Sequence, residues 1–393
     1  MNTIVINKYL KRLFFILNLF VVIPCFGQNP KPVCTEAHKL DLHQLRYADE
    51  AITQSINNKE IPGAVLAVVY HSKLAYLKAY GNKQIYPTTV PMDINTVFDL
   101  ASLTKAVATA TSVMILTERG KLRLEDKVSL YIPDFNDKIQ IINLLTHTSG
   151  LPPYAPVDTI LKRQANDPDA LIHYIAKCKR SFEPGNGFQY SCLNYITLQR
   201  IVETVSGQSL RDFAKTNIFD VLGMKHTDYC PAGEILKRTA PTEKQSDNQV
   251  LCGVVHDPLA RVLNHGISGN AGLFSDAKDL ALFSEALLNN GSINGKRILS
   301  QQAVKTLTTI PRELSAYGRT PGWDVFSDYS SNQGDLLSPN TYGHTGYTGT
   351  SIVIDPDHEI AIILLTNRVH PVDTGSVIRL RAIVANAVAA SIK

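Results

Sequence analysis

The chain has 393 residues and an ordinary globular balance, with 44% hydrophobic and 19% charged side chains. No low-complexity tract, heptad or fixed-period repeat runs through it, which excludes fibrous, coiled-coil and solenoid architectures. Lys and Arg number 39 against 35 Asp and Glu, a formal net charge of +4, too small to mark a nucleic-acid partner.

The first element is a leader. Lys8, Lys11 and Arg12 precede the apolar stretch LFFILNLFVVIP, and Cys25-Phe26-Gly27 sets small residues three and one before Gln28. The pattern predicts a signal peptide over residues 1–27, with export to the periplasm or the exterior after cleavage. A lipid anchor on Cys25 is the competing reading, but Val22-Ile23-Pro24 lacks the small residues such an anchor wants. Removing three cations and no acid takes the charge from +4 to +1. No later segment is apolar enough to cross a bilayer. Five cysteines then remain: Cys34, Cys178, Cys192, Cys230 and Cys252. An odd number leaves at least one thiol free, and Cys230 and Cys252 bracket a polar loop across which they could pair. No CxxC pair or HExxH occurs, so neither a metal nor a cofactor is expected.

Leu42, Leu45, Ala48, Ile52 and Ile56 recur at helical spacing and predict a helix over about 40–57. Ala64 to Tyr70 and Lys73 to Tyr80 read as a hairpin turning at His71-Ser72. Helical signals follow at 102–119, 194–206, 209–217 and 277–290. Ser351 to Asp355 and Ile360 to Thr366 are strands around Pro356-Asp357, and Val377 to Ile392 is a closing helix. Both chain ends supply a helix and a strand pair, while the middle is mostly helical. The expected fold is therefore α+β: one antiparallel sheet from both termini, flanked by helices, with a large helical insertion. Residues 28–393 form one catalytic unit, its sheet lobe at about 35–84 and 316–393 and its helical lobe at about 85–315. A cleft between such lobes suits a ligand.

Residues 98–105 read FDLASLTK, with Ser102 and Lys105 opening a helix one turn apart. By itself Ser-x-x-Lys says little, because Ser275 to Lys278 repeats it before another apolar run, where a plain helix cap is the reading. Five ordered blocks decide between them: FDLASLTKAVAT, LLTHTSGLP (144–152), FEPGNGFQYS (182–191), SGNAGLFSDAKDLALF (268–283) and GHTGYTGTSIVIDP (343–356). Together they resemble the serine β-lactamase and penicillin-binding-protein superfamily, in its class C, D-alanyl-D-alanine carboxypeptidase and esterase branch.

Chemistry explains the spacing. A serine hydroxyl needs a nearby base to become a nucleophile, and residues three apart share a helix face. Burial and neighbouring positive charge draw a lysine toward the range where it acts as a base. The resemblance implies Ser102 as nucleophile, with Lys105 and Tyr190 managing protons. It implies the backbone N–H groups of Ser102 and Tyr347 as an oxyanion hole. His344-Thr345-Gly346 stands where many relatives carry Lys-Thr-Gly and is expected to contact substrate, His344 as a group titrating near neutrality. Cys192 departs from the pattern: it occupies the Asn position of Tyr-x-Asn, and a thiol is a weak hydrogen-bonder. His147 is assigned to its loop, and His256-Asp257 is left between structure and cleft. A Gly-x-Ser-x-Gly elbow is absent.

These residues predict a serine hydrolase or acyltransferase acting on a small acyl donor and acceptor, with ester hydrolysis or transfer to an alcohol ahead of β-lactam hydrolysis. The alternatives are a D-alanyl-D-alanine carboxypeptidase or β-lactamase, a penicillin sensor that acylates without turnover, and a protein whose site has decayed. Oligomeric state is not legible.

Overall fold

The strand β1 (Gly63–Tyr70) shows why the sheet forms where it does. Its sequence GAVLAVVY alternates two apolar faces, and every residue is buried. Val65, Ala67 and Val69 join one core with Leu103 and Val107. Ala64, Leu66 and Val68 join another with Leu45, Ala48 and Ile52. A strand apolar on both faces needs a layer on each side.

The computed structural model describes residues 40–135, 138–158, 160, 168–325, 327 and 333–393. The expected signal peptide, with Cys25 and Gln28, and Cys34 lie outside them. The described residues all fall in one compact unit. Around β1 are β2 (Lys73–Gln84), β3 (Val90–Pro91), β4 (Asp324–Val325), β5 (Tyr342–Thr345), β6 (Ser351–Asp355) and β7 (Ile360–Thr366). The order is β3-β2-β1-β7-β6-β5-β4, antiparallel throughout. The β1–β7 register, Val65 opposite Leu365, joins the two ends of the chain. His71 and Ser72 both have positive φ, 46° and 59°, the backbone that a tight two-residue hairpin demands.

Among the helices are α1 (Leu42–Asn57), α2 (Thr111–Glu118), α3 (Cys192–Ser206), α4 (Ala277–Leu288) and α5 (Ile378–Ala389). Asp41 caps α1, its side chain accepting the His43 N–H. Leu45, Ala48 and Ile52 of α1 share a core with Leu380, Val384 and Val388 of α5 on one sheet face. α4 packs on β1 and β7, its Leu280 and Phe283 in the other core. The expected fold class and the long elements are thus present, with two differences. The segment foreseen as one helix over 102–119 is a π-helical run, Lys105–Ala110, feeding α2. The segment at 209–217 is a short α-helix, Leu210–Ala214, that widens into a π-helix over Lys215–Phe219. The middle also holds a small sheet of Phe98–Asp99, Leu273–Ser275 and Asp228–Tyr229, too short to leave a period in the sequence.

One polar cluster ties α1 to the sheet. The Asp49 carboxylate accepts from Tyr76 Oη at 2.6 Å, Tyr80 Oη at 2.5 Å and Lys78 Nζ at 2.5 Å. Removing the carboxylate takes a shared charged acceptor from three partly or wholly buried donors. Asp49→Ala should therefore destabilise the fold by about 2–4 kcal/mol, read as a lower urea midpoint at unchanged slope, with Asp49→Asn milder.

Candidate active site

The site starts from a buried turn. Phe98 and Asp99 pair with Ser275 and Phe274, which fixes the chain just before Ala101. The Asp99 carboxylate accepts the N–H of Ala101 at 2.8 Å and that of His256 at 2.7 Å. Burial pushes its pKa up, and those two N–H groups oppose the shift. Ala101 has φ +46°, an unfavourable backbone for a residue with a Cβ, and this held kink delivers Ser102. Three i→i+3 bonds then wind the chain into the helix, the last from Lys105 N to Ser102 O at 3.0 Å.

Lys105 is fully buried. Its Nζ lies 2.9 Å from Ser102 Oγ, 2.8 Å from the Asn270 carbonyl and 3.7 Å from Cys192 Sγ. It also stands 5.1 Å from the ring centre of Tyr190 and 5.8 Å from that of Tyr195. Among the described residues no carboxylate pairs with it. The π-helical geometry of 105–110 belongs to this neighbourhood, as single π turns often do at working sites.

Tyr190 hydrogen-bonds Ser102, and burial holds its phenol protonated well above the ordinary value. Its surroundings give His147 the loop role assigned to it. That imidazole packs 4.3 Å from the Tyr190 ring. Its Nδ1 accepts the Ser191 N–H at 3.1 Å, with the Asn194 amide also at 3.1 Å. His147 therefore secures the loop carrying Tyr190. Arg319, wholly buried and paired with Asp324, lies 5.7 Å over the Tyr190 ring and 5.8 Å over Phe188.

The strand β5 closes the site. A Cβ on Gly346 would meet Thr350 Oγ1 at 2.1 Å and the Leu100 carbonyl at 2.3 Å, so only glycine permits this approach. Thr348 and Thr350 donate to the carbonyls of Asp99 and Leu100 at 2.7 and 3.0 Å. These bonds bring the peptide after Gly346 to the turn before Ser102. Neither the Ser102 N–H nor the Tyr347 N–H has an acceptor among the described residues. The Tyr347 side chain is exposed, bonded to Asp373 at 2.5 Å and stacked 5.8 Å from His256.

His344 differs from expectation. Its Nδ1–H donates to the Thr345 carbonyl at 2.9 Å, leaving Nε2 without a partner among the described residues. Burial, then Arg319 and Lys105, drive its pKa well below 6.5. It is a neutral imidazole, not a group near its titration point. Cys192 opens α3 behind its cap Ser191; burial raises its pKa despite Lys105, so the thiol is kept.

Ser102, Tyr190, His344, Thr345, Tyr347 and Arg381 line a cavity of about 530 Å³. A larger one, about 800 Å³, runs between Pro184–Asn186 and Gln302–Pro311 without Ser102 or Lys105, so chemistry rather than size identifies the site. Arg381 donates to the carbonyls of Gly346 and Thr350 at 3.0 and 2.9 Å. Burial, with Arg368 beside it, pulls its pKa down to about 9. Sequence reasoning passed over Arg381 and Arg319, since neither belongs to a local chemical motif, and over Asp99 and Asn270, although both lay inside quoted blocks.

The second Ser-x-x-Lys is structural, though not in the manner foreseen. Ser275 ends a strand and bonds Thr227 at 2.7 Å. The cap of α4 is Asp276, and Lys278 reaches Asn95 at 2.7 Å. Cys230 and Cys252 do not pair; both are free thiols.

Burial lowers the pKa of both His147 and His344. Below about pH 6.5 the unfolded chain binds protons that the folded one refuses. Stability is then complete above 6.5 and falls with pH, by up to about 1.4 kcal/mol per pH unit per imidazole. Urea unfolding at pH 7.5 and 5.5 should give a lower midpoint at 5.5, and the difference should shrink in His344→Gln.

Known proteins resemble this chain along most of its length. The family described as Beta-lactamase matches residues 48–386. A protein of Escherichia coli strain K12 named for a D-alanyl-D-alanine carboxypeptidase is 31% identical, over 92% of this chain and 92% of its own. One of Bacillus subtilis strain 168, named an N-acetylmuramyl-L-alanine amidase, is 33% identical over 90% and 89%. Among solved structures EstCE1, described as a hydrolase with promiscuous acyltransferase activity, superposes with a TM-score of 0.70. It is 22% identical and covers 88% of this chain and 99% of its own. At that identity the likeness speaks for the fold.

Proposed function

The chain belongs to the β-lactamase family, and from that footing we propose that it is an exported serine acyl-enzyme catalyst whose preferred acyl donor is an ester. The observation that carries the reading is the buried Lys105 Nζ at 2.9 Å from Ser102 Oγ. A base must lie within hydrogen-bond reach of the proton it takes, and here the remaining Nζ contacts face a carbonyl and a thiol.

Lys105 takes the Ser102 proton as Oγ attacks the carbonyl carbon. The carbonyl oxygen becomes an oxyanion held by the N–H groups of Ser102 and Tyr347. The tetrahedral adduct collapses, the leaving oxygen or nitrogen receives a proton through Tyr190, and Ser102 remains esterified. Water or an alcohol then enters by the reverse route: it gives its proton to the same groups, displaces Ser102 and frees the acyl group. His344 lines the cavity with a neutral acceptor nitrogen, which suits a hydroxyl donor and offers no fixed cation to a β-lactam carboxylate.

Cys192 argues in the same direction. An amide at that position would hold an amide substrate, and losing such a bond costs about 1–3 kcal/mol, roughly ten- to a hundredfold in rate if felt in the transition state. Arg381 and Arg368, which border the cavity, favour a second reading: a donor ending in a carboxylate, the chemistry named for the E. coli relative.

The test compares a nitrophenyl ester, a chromogenic cephalosporin and a peptide ending in D-alanyl-D-alanine. Ester turnover should exceed cephalosporin turnover. Ser102→Ala should abolish covalent labelling while Ser275→Ala leaves it intact. Cys192→Asn combined with His344→Lys should raise cephalosporin turnover relative to ester turnover. Efficient cephalosporin hydrolysis by the wild type would sink the ester preference, and rapid release of D-alanine would install the second reading. Export predicts a mature chain beginning at Gln28 without lipid, checked by mass spectrometry of the secreted protein.

A further inference from the structure

We propose that Asp257 is a positioning residue for the Ser102–Lys105 pair, acting through Asn270. The proposal rests on the acyl-enzyme reading above. Lys105 Nζ has one main-chain anchor, the Asn270 carbonyl at 2.8 Å, so wherever residue 270 sits decides where the base sits.

The backbone ahead of Asn270 is fixed from several sides. Gln199 accepts the Gly269 N–H at 3.0 Å, and Thr109 donates to the Gly269 carbonyl at 2.7 Å. The Asn270 side chain is clamped in turn. Its Oδ1 accepts from Ser268 at 2.7 Å and its Nδ2 donates to Asp257 Oδ1 at 3.2 Å. Asp257 is the outermost member. Its Oδ1 also accepts the Ala260 N–H at 2.8 Å, and its Oδ2 accepts from Tyr154 Oη at 3.1 Å. Tyr154 in turn accepts the Leu259 N–H at 3.1 Å.

A carboxylate that only closed the five-residue turn at Leu259–Leu263 would need the Ala260 contact alone. This one also gathers Tyr154, from 103 positions away, and Asn270. Its neighbour His256 is engaged elsewhere, with Glu243 at 3.2 Å. All three partners of Asp257 are neutral donors, so a side chain with an acceptor oxygen in the same place serves nearly as well. Without one, the Asn270 amide loses its outer hold, and its carbonyl no longer fixes Nζ against Ser102. Misplacing a reacting group by about 1 Å costs on the order of a hundredfold.

The experiment measures pre-steady-state acylation by a nitrophenyl ester, with KM, in the mature protein and in Asp257→Ala, Asp257→Asn, Asn270→Ala and Asp257→Ala/Asn270→Ala. Asp257→Ala should slow acylation roughly ten- to a hundredfold with KM within about threefold. Asp257→Asn should restore most of the rate. The double variant should be little slower than Asn270→Ala, because the two act as one unit. The proposal falls if Asp257→Ala lowers the melting temperature but leaves the acylation rate unchanged. It falls equally if the two losses add, or if Asp257→Asn is as slow as Asp257→Ala. Should Asp257→Ala not fold, Tyr154→Phe must still slow acylation at constant KM, and an unchanged rate overturns the idea. Failure of the wild type to label at Ser102 would instead overturn the acyl-enzyme reading itself.

Discussion

The site depends on burying the Lys105 amine without a carboxylate beside it. A long polar head taken out of water must find partners or lose several kcal/mol, and here the partners come from the same helix turn and two distant segments. They are Ser102 one turn earlier, the Asn270 carbonyl and the Cys192 thiol. Meeting all three requires α3 to start where it does and the loop before Leu273–Ser275 to run under the nucleophile helix. The Tyr190 and Tyr195 rings, 5.1 and 5.8 Å from Nζ, complete the enclosure.

A second constraint joins this helical region to the sheet. Thr348 and Thr350 donate to the carbonyls of Asp99 and Leu100, just ahead of the strained Ala101. The β5–β6 register, His344 opposite Ile352 and Thr345 opposite Ser351, carries these threonines to their places. A shift of one residue would reverse every side chain along β5. It would also replace Gly346 at the one point where a Cβ would strike the Leu100 carbonyl. The sheet built by the two chain ends therefore serves as the reference frame for a serine near residue 100.

What could be read from the sequence was what is local. Ser102 and Lys105 are one turn apart, so their proximity follows from helix geometry. Ser351–Asp355 and Ile360–Thr366 are short apolar runs between turn residues and announce themselves as strands. Arg319 and Arg381 could not be read, because their meaning comes from rings and carbonyls far along the chain. His344 could be found but not understood. Its neutrality arises from burial beside Arg319 and Lys105, and neither neighbour is near it in sequence. The resemblance to known blocks separated Ser102 from Ser275, which spacing alone could not do. The structure adds the reason: Ser275 already spends its hydroxyl on Thr227.

Arg381 places a cation on the peptide that follows β5. Position 344 carries a neutral imidazole, while a buried guanidinium from α5 reaches the end of β5. Its Nη2 donates to the Gly346 carbonyl at 3.0 Å. That carbonyl and the Tyr347 N–H belong to one peptide unit. A charged donor on the oxygen of a peptide withdraws electron density from its nitrogen and strengthens the N–H as a donor, and the effect is larger where water is excluded. The bond to the Thr350 carbonyl at 2.9 Å holds the guanidinium in line with that peptide. Arg381 therefore strengthens the Tyr347 N–H, the group proposed above to hold the oxyanion, although no lysine stands at position 344. The same reasoning separates two tasks that a lysine at 344 would have combined. The carbonyl-polarising charge stays on α5, and the cavity wall at 344 is left to a neutral acceptor suited to a hydroxyl.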